Sequence, residues 1–253
     1  MAIRAFMSDS LSTFCDDFYV NLRIGSQLPL PNERETLLHF LERLQKDFPT
    51  LNRFRRNESG EMFLEEDRAG NCYRWVALEN RRIASGHVNP PSIGEAVRMH
   101  RLLAELAPTF LGLSRLELEY VDLLYGFDFA YGGNHDELLC EALFEQSPLT
   151  SLLGEGGAMP VDFQPSFTVA LSEDQRLQAK LDIVSRSTGP KTGESNEEAI
   201  SVFLTVRRFM GGETKGPDAL SVVTQLAEKC DDLVHRHVLP KIIRPISAAI
   251  ASR

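Results

Sequence analysis

The chain has 253 residues, enough to bury a sizeable core as one large domain or two small ones. Its 43% hydrophobic and 25% charged residues are ordinary for a globular protein and exclude wholesale disorder. The net charge of −9 sits in the second half: residues 1–110 carry 14 Lys+Arg against 15 Asp+Glu, and 111–253 carry 13 against 21, which is not the basic footprint of a free-standing nucleic-acid binder.

The start, Met1 to Phe14, holds no sustained apolar run, and Ser8, Asp9 and Ser10 interrupt it. No apolar stretch approaches the roughly 18 residues of a membrane span. Together these argue for a cytoplasmic protein without a membrane segment. The four cysteines, Cys15, Cys72, Cys140 and Cys230, are widely spaced with no CxxC pair, and are expected as reduced, mostly buried thiols.

Asp17–Ile24 alternates apolar and polar residues, the pattern of a half-buried strand. Asn32 followed by Glu35 predicts a capped helix through Leu37, Leu41, Leu44 and Phe48, stopped by Pro49. Residues 54–67 and 72–88 predict two strands around the turn Asp67–Asn71. Ser92 with Glu95 opens a second helix that should end near Pro108.

The order then recurs. Tyr120–Tyr131 alternates; Gly132-Gly133 turns the chain; Asn134 with Glu137 caps a short helix. A Gly/Pro-rich loop covers 147–160. Residues 163–171, 177–187 and 199–209 predict three strands. Pro217-Asp218 opens a last helix, which Leu239-Pro240 should end or kink. Leu78, Arg81-Arg82, Gly86, Pro91 and Val97 match Leu204, Arg207-Arg208, Gly212, Pro217 and Val223, all 126 residues apart. The expected fold is α+β: two similar βα units in one compact domain, with a mainly antiparallel sheet, helices on one face and a long C-terminal helix. The first half (1–112) reads β-α-β-β-α and the second (113–253) β-α-β-β-β-α.

Few motifs carry chemistry. Gly133-Asn134-His135-Asp136-Glu137 has the form of a phosphoesterase metal segment, but the further ligands of a two-metal centre are missing from the sequence, and a glycine turn with an Asn cap explains each residue. His235 and His237 point about 200° apart on a helix and cannot share a metal; His237 falls on the apolar stripe with Cys230 and is expected in the core or an interface. Asp122 and Asp128 lie roughly 20 Å apart on one strand, too far for a carboxylate pair. Gly154–Gly157 and Gly189–Thr192 lack the context of nucleotide-binding loops. No metal, cofactor or catalytic residue is implied.

What survives is a surface. The sheet face opposite the helices should carry Tyr19, Asn21 and Arg23 from one half and Tyr120, Asp122 and Asp128 from the other. Arg81-Arg82 and Arg207-Arg208 should add one arginine each, giving two equivalent basic spots that suit anionic groups. These residues point to a non-catalytic binding or interaction protein, a dimer or a subunit of a larger assembly. The alternatives are an enzyme or small-molecule binder with an anion pocket between the halves, using His100 or His237, and a saddle-like nucleic-acid binder, for which the charge is wrong.

The strand Leu116-Glu117-Leu118-Glu119-Tyr120-Val121-Asp122 and the layout resemble a sporadically distributed family of uncharacterised bacterial proteins of about 250 residues, with a central Leu-Arg-Tyr-x-Asn-like strand and a long last helix. The chain departs from that pattern at Glu119 and Asp122. The resemblance carries no catalytic residues and implies an accessory or interaction role.

Overall fold

A computed structural model describes residues 11–145, 147–185, 199–211 and 216–253. The Gly189–Thr192 segment, Arg186-Ser187, Gly212 and the first ten residues lie outside the described residues.

The chain is α+β, with one nine-stranded antiparallel sheet. β1 (Asp17–Ser26) leads to helix α1 (Arg34–Asp47), then to β2 (Arg53–Arg56), β3 (Met62–Glu65), β4 (Tyr73–Glu79), β5 (Arg82–Val88) and helix α2 (Ile93–Leu111). β6 (Leu118–Ala130) leads to helix α3 (His135–Phe144), a 3-10 segment (Pro148–Gly154), β7 (Ser166–Ala170), β8 (Leu177–Ser185), β9 (Ala199–Phe209) and helix α4 (Ala219–Leu233). A π-helical stretch (Val234–Ile243) then runs straight into α5 (Arg244–Ala251). The strand order is β2-β3-β4-β5-β1-β6-β9-β8-β7.

Alternation in the sequence explains the two faces. Phe18, Val20, Leu22 and Ile24 of β1 lie beside Phe127, Tyr125, Leu123 and Val121 of β6, all at most 2% exposed, and form the floor of the core. Helix α2 packs on β1 and β5, and α4 on β6 and β9. Leu103, Ala107, Val222, Val223, Leu226 and Cys230 close the core from the helix side.

Four local expectations are corrected. The two long strands of the first half each fold into a hairpin, so that half contributes five strands: Asn57–Gly60 and Asn80-Arg81 form turns. Asn32 is not a cap; α1 begins after Glu33, which makes no side-chain cap bond, and the Leu30 N–H is tied instead to the Asn80 carbonyl at 2.7 Å. Helix α2 passes through Pro108, because its buried stripe continues through Leu111, and ends at Gly112 with φ +64°. The last helix does not end at Pro240. Its turns widen instead, which moves the buried stripe to Val234, Val238, Leu239 and Ile243 and leaves His237 exposed rather than in the core.

Other expectations hold. Asn134 Oδ1 accepts from the Asp136 and Glu137 N–H groups at 3.1 Å each, so the Gly-Asn-His-Asp-Glu segment is a helix cap. Ser92 caps α2 and Asp218 caps α4 in the same way. All four cysteines are free, but the expected burial holds only for Cys140 and Cys230; Cys15 is half-buried and Cys72 is exposed. Among the described residues, no helix is long and apolar enough to cross a membrane.

Candidate functional site: the open face of the sheet

The face away from the helices is built from the other set of alternating residues. Across the middle of the sheet, register aligns Trp75, Gly86, Asn21, Leu124, Thr205 and Lys180 in one row. The next row aligns Ala77, Ala84, Arg23, Asp122, Arg207 and Gln178.

Three glycines shape this surface, because aromatic rings lie flat on them. A Cβ on Gly25 would sit 2.3 Å from the Tyr120 ring, and one on Gly126 would sit 2.1 Å from the Tyr19 ring. A Cβ on Gly86 would meet the Trp75 indole nitrogen and Asn21 Oδ1, each at 2.3 Å. The first two contacts are reciprocal. Tyr19-Val20-Asn21-Leu22 of β1 and Tyr120-Val121-Asp122-Leu123 of β6 are each followed three residues later by glycine, Gly25 and Gly126. The antiparallel register sets Tyr19 against Gly126 and Gly25 against Tyr120. This repeated Tyr-Val-x-Leu-x-x-Gly pattern was in the sequence and went unread.

The arginines do not form two equivalent spots. Arg82 and Arg207 both face this side and converge on one tyrosine. The Arg207 guanidinium lies 4.6 Å over the Tyr120 ring and 5.4 Å from Phe209, and holds Asp122 in a bidentate pair at 2.5 and 2.6 Å. Asp122 is 2% exposed, so this is a buried carboxylate with its charge compensated. The Asp122 hydrogen bond holds the Arg207 pKa above its ordinary value. Arg82 pairs with Glu79 and also interacts with Tyr120. Arg81 is exposed in the β4–β5 turn, where its carbonyl accepts from the Ser26 N–H. Arg208 stands opposite Val121 and points to the helix side. At a spacing of 126, therefore, Arg82 opens β5 while Arg208 nearly closes β9, and the two face opposite sides of the sheet.

Around this cluster the cations of the face other than Arg23 are ion-paired among the described residues. Arg53 pairs with Asp67, Arg55 with Glu65, and Lys180 with Asp182. Tyr19 donates to Asp128 at 3.2 Å, and Asn89 donates to Asp17 at 2.6 Å. Arg23 differs. It stands opposite Asp122 on the neighbouring strand, but that carboxylate is held by Arg207. Arg23 is exposed and, among the described residues, has no ion-pair partner. The expected site residues thus separate: Tyr19, Arg23, Arg82, Asp122, Asp128 and Arg207 share the face, while Arg81 and Arg208 do not.

His100 gives no reactive centre. His100 is fully buried under β1; its Nε2–H donates to the Val20 carbonyl at 3.2 Å, so Nδ1 accepts from the Ser85 hydroxyl at 2.9 Å. Burial pushes its pKa down to about 3, and that of neighbouring His87 down to about 4. Ser85 and His100 have no exposed surface, so this hydroxyl–imidazole pair cannot reach a substrate. Asp136 is likewise occupied, accepting from Ser185 Oγ at 2.6 Å and the Phe163 N–H at 3.0 Å.

No protein-family model matches the chain, and no curated protein matches it. Among solved structures it is similar to the crystal structure of the di-domain ARO/CYC BexL from the BE-7585A biosynthetic pathway. That likeness is 8% in sequence with a TM-score of 0.23, and covers 93% of this chain and 99% of that one. A TM-score of that size shows neither fold nor function.

Proposed function

We propose that this is a non-catalytic binding protein whose open sheet face docks a protein partner, with a carboxylate of that partner over Arg23. The observation that carries this reading is Arg23, which among the described residues has no ion-pair partner, while Arg53, Arg55, Arg82, Lys180 and Arg207 of the same face each have one. The half-buried rings of Tyr19, Trp75, Tyr120 and Phe203 around it supply the aromatic area typical of protein interfaces. A second copy docked by this same face would offer Arg23 only acids that already have partners within their own chain: Glu65, Glu79, Asp122 and Asp182 are ion-paired, and Asp17 and Asp128 accept hydrogen bonds from Asn89 and Tyr19. The reading commits to a different protein as the partner, and a second copy is the outcome that light scattering would reveal.

The same reading takes residues 1–112 and 113–253 as two copies of one βα unit. It is supported by the repeated Tyr-Val-x-Leu-x-x-Gly strand and by an order in which β5 and β4 flank β1 as β9 and β8 flank β6.

The test is capture from the native host with wild-type chain and with Arg23→Glu, alongside light scattering of each. A protein retained by the wild type and lost by Arg23→Glu is the expected result. Equal capture by both chains, or no capture by either, overturns the reading; a wild-type dimer abolished by Arg23→Glu would reassign the face to self-association.

A further inference from the structure

A second surface, far from Arg23 in character, lies beside α3. A cleft of about 460 Å³ is lined by Glu137, Glu141 and Glu145 on one wall, and by Cys140, Leu153 and Met159 among its apolar residues. The acids recur every fourth residue, so they stack along one side of α3. This spacing is unfavourable for the helix itself: like charges at that interval repel, and carboxylates in the last turn oppose the helix dipole. Helix α3 has no basic residue in its last turn to offset them. The other wall is quiet. The Thr150 hydroxyl donates to the Phe144 and Ser147 carbonyls, and on α3 itself burial raises the Cys140 thiol pKa. Met159, which lines the cleft, is 62% exposed, and Leu152 and Val161, next in the chain to the lining residues Leu153 and Pro160, are 75% and 86% exposed.

The chain itself shows what the acidic wall accepts. The guanidinium of Arg253 bridges it, donating to Glu141 and to the Tyr131 hydroxyl at 3.2 Å, and lying 3.9 Å from Glu137. Glu145, one turn further along, has no partner among the described residues.

We propose that this cleft docks a basic amphipathic helical segment of a partner protein. Its apolar side chains fill the space between Cys140, Leu153 and Met159, and its Lys or Arg residues meet Glu145 and compete with Arg253 for Glu141. This surface has the opposite charge requirement to the Arg23 face, so it stands or falls independently of that reading.

The test uses the full chain and two labelled peptides of about 14 residues, one Leu/Lys amphipathic and one Leu/Glu of the same pattern, followed by fluorescence anisotropy. The Leu/Lys peptide is expected to bind with an affinity that falls with salt, and the Leu/Glu peptide is expected not to bind. Glu145→Gln should weaken binding about threefold, and Met159→Ser about tenfold. Both residues are exposed, so neither change threatens the fold. Glu173→Gln, an exposed acid on the β7–β8 turn, should leave the affinity unchanged and separates docking from attraction to net charge. Equal binding by wild type, Glu145→Gln and Met159→Ser overturns the proposal. So does binding of cadaverine that blocks the peptide completely, which would make the cleft a site for small cations.

Discussion

Tyr19 and Tyr120 occupy matching places on the two central strands, each laid on the other strand's glycine, yet their surroundings differ. Beside Tyr120, the buried Asp122 pairs with the partly exposed Arg207, and Arg82 closes the other flank. Beside Tyr19, the place of Asp122 is taken by Asn21, whose Oδ1 is buried without a hydrogen bond, and the place of Arg207 is taken by Gly86 under the Trp75 indole. Arg23 has Leu124 as its counterpart. The shape repeats, and the charge does not. Backbone contacts that set the strand register are common to both sites, while the polar chemistry is free to diverge. The ion pair and the open cation of Arg23 stand in one row beside Tyr120, and Tyr19 has neither.

The largest effects should come from breaking the shared shape. Gly126→Val and Gly25→Val each force a tyrosine ring off its seat and should cost about 3 kcal/mol in urea unfolding. If only one is costly, the two sites are not equivalent. Arg207→Ala should cost a similar amount, about 3 kcal/mol, because it strands Asp122 in a buried setting. The pair change Asp122→Asn with Arg207→Met should restore part of that, as seen in the same unfolding assay, since it removes the uncompensated charge.

Acid should act next, and on the first half, where His87 and His100 both lie. Their folded pKa values are depressed to about 4 and about 3, below the ordinary histidine value near 6.5. Above that value both states are neutral and nothing changes. As pH falls below it, the unfolded chain takes up protons that the fold refuses, so stability is lost down to the folded pKa. For His100 this is about 1.4 kcal/mol per pH unit. Urea midpoints at pH 7 and pH 4.5 measure the loss, and it should shrink in a His100→Gln chain. Tyr19→Phe removes one hydrogen bond to Asp128 and should cost about 1 kcal/mol. Arg23→Ala should change stability by less than about 0.5 kcal/mol, because the side chain is exposed and unpaired. A large loss there would show that Arg23 holds the fold rather than a partner.

Much of the fold was legible in the residues because its causes are local. Alternation marked β1, β6 and β9, and the Asn134, Ser92 and Asp218 caps followed from side chains two or three residues from the N–H groups they serve. What depended on distant contacts was not. The match of Arg81-Arg82 with Arg207-Arg208 looked like a repeat, yet strand pairing puts Gly86 opposite Asn21 and Arg207 opposite Asp122. By strand pairing, the residues in equivalent places beside β1 and β6 lie 121 apart, not 126, and an odd difference puts side chains on opposite faces. His237 was misplaced by the same kind of error, since a 3.6-residue period does not describe a π-helical stretch. The candidate site was half legible: Tyr19, Arg23 and Asp122 were named, but that Arg207 would claim Asp122 and leave Arg23 open depends on β9 lying beside β6.

Each central strand holds both parts of the ring-and-glycine contact. β1 has Tyr19 and Gly25; β6 has Tyr120 and Gly126, with Leu22 and Leu123 midway between them. A strand written this way is complementary to itself when turned end for end. Two copies of β1, paired antiparallel with Leu22 against Leu22, would seat Tyr19 on Gly25 twice over, as β1 and β6 do here. The seam at the centre of the sheet thus has the grammar of a palindrome, spelled once in each half of a single chain.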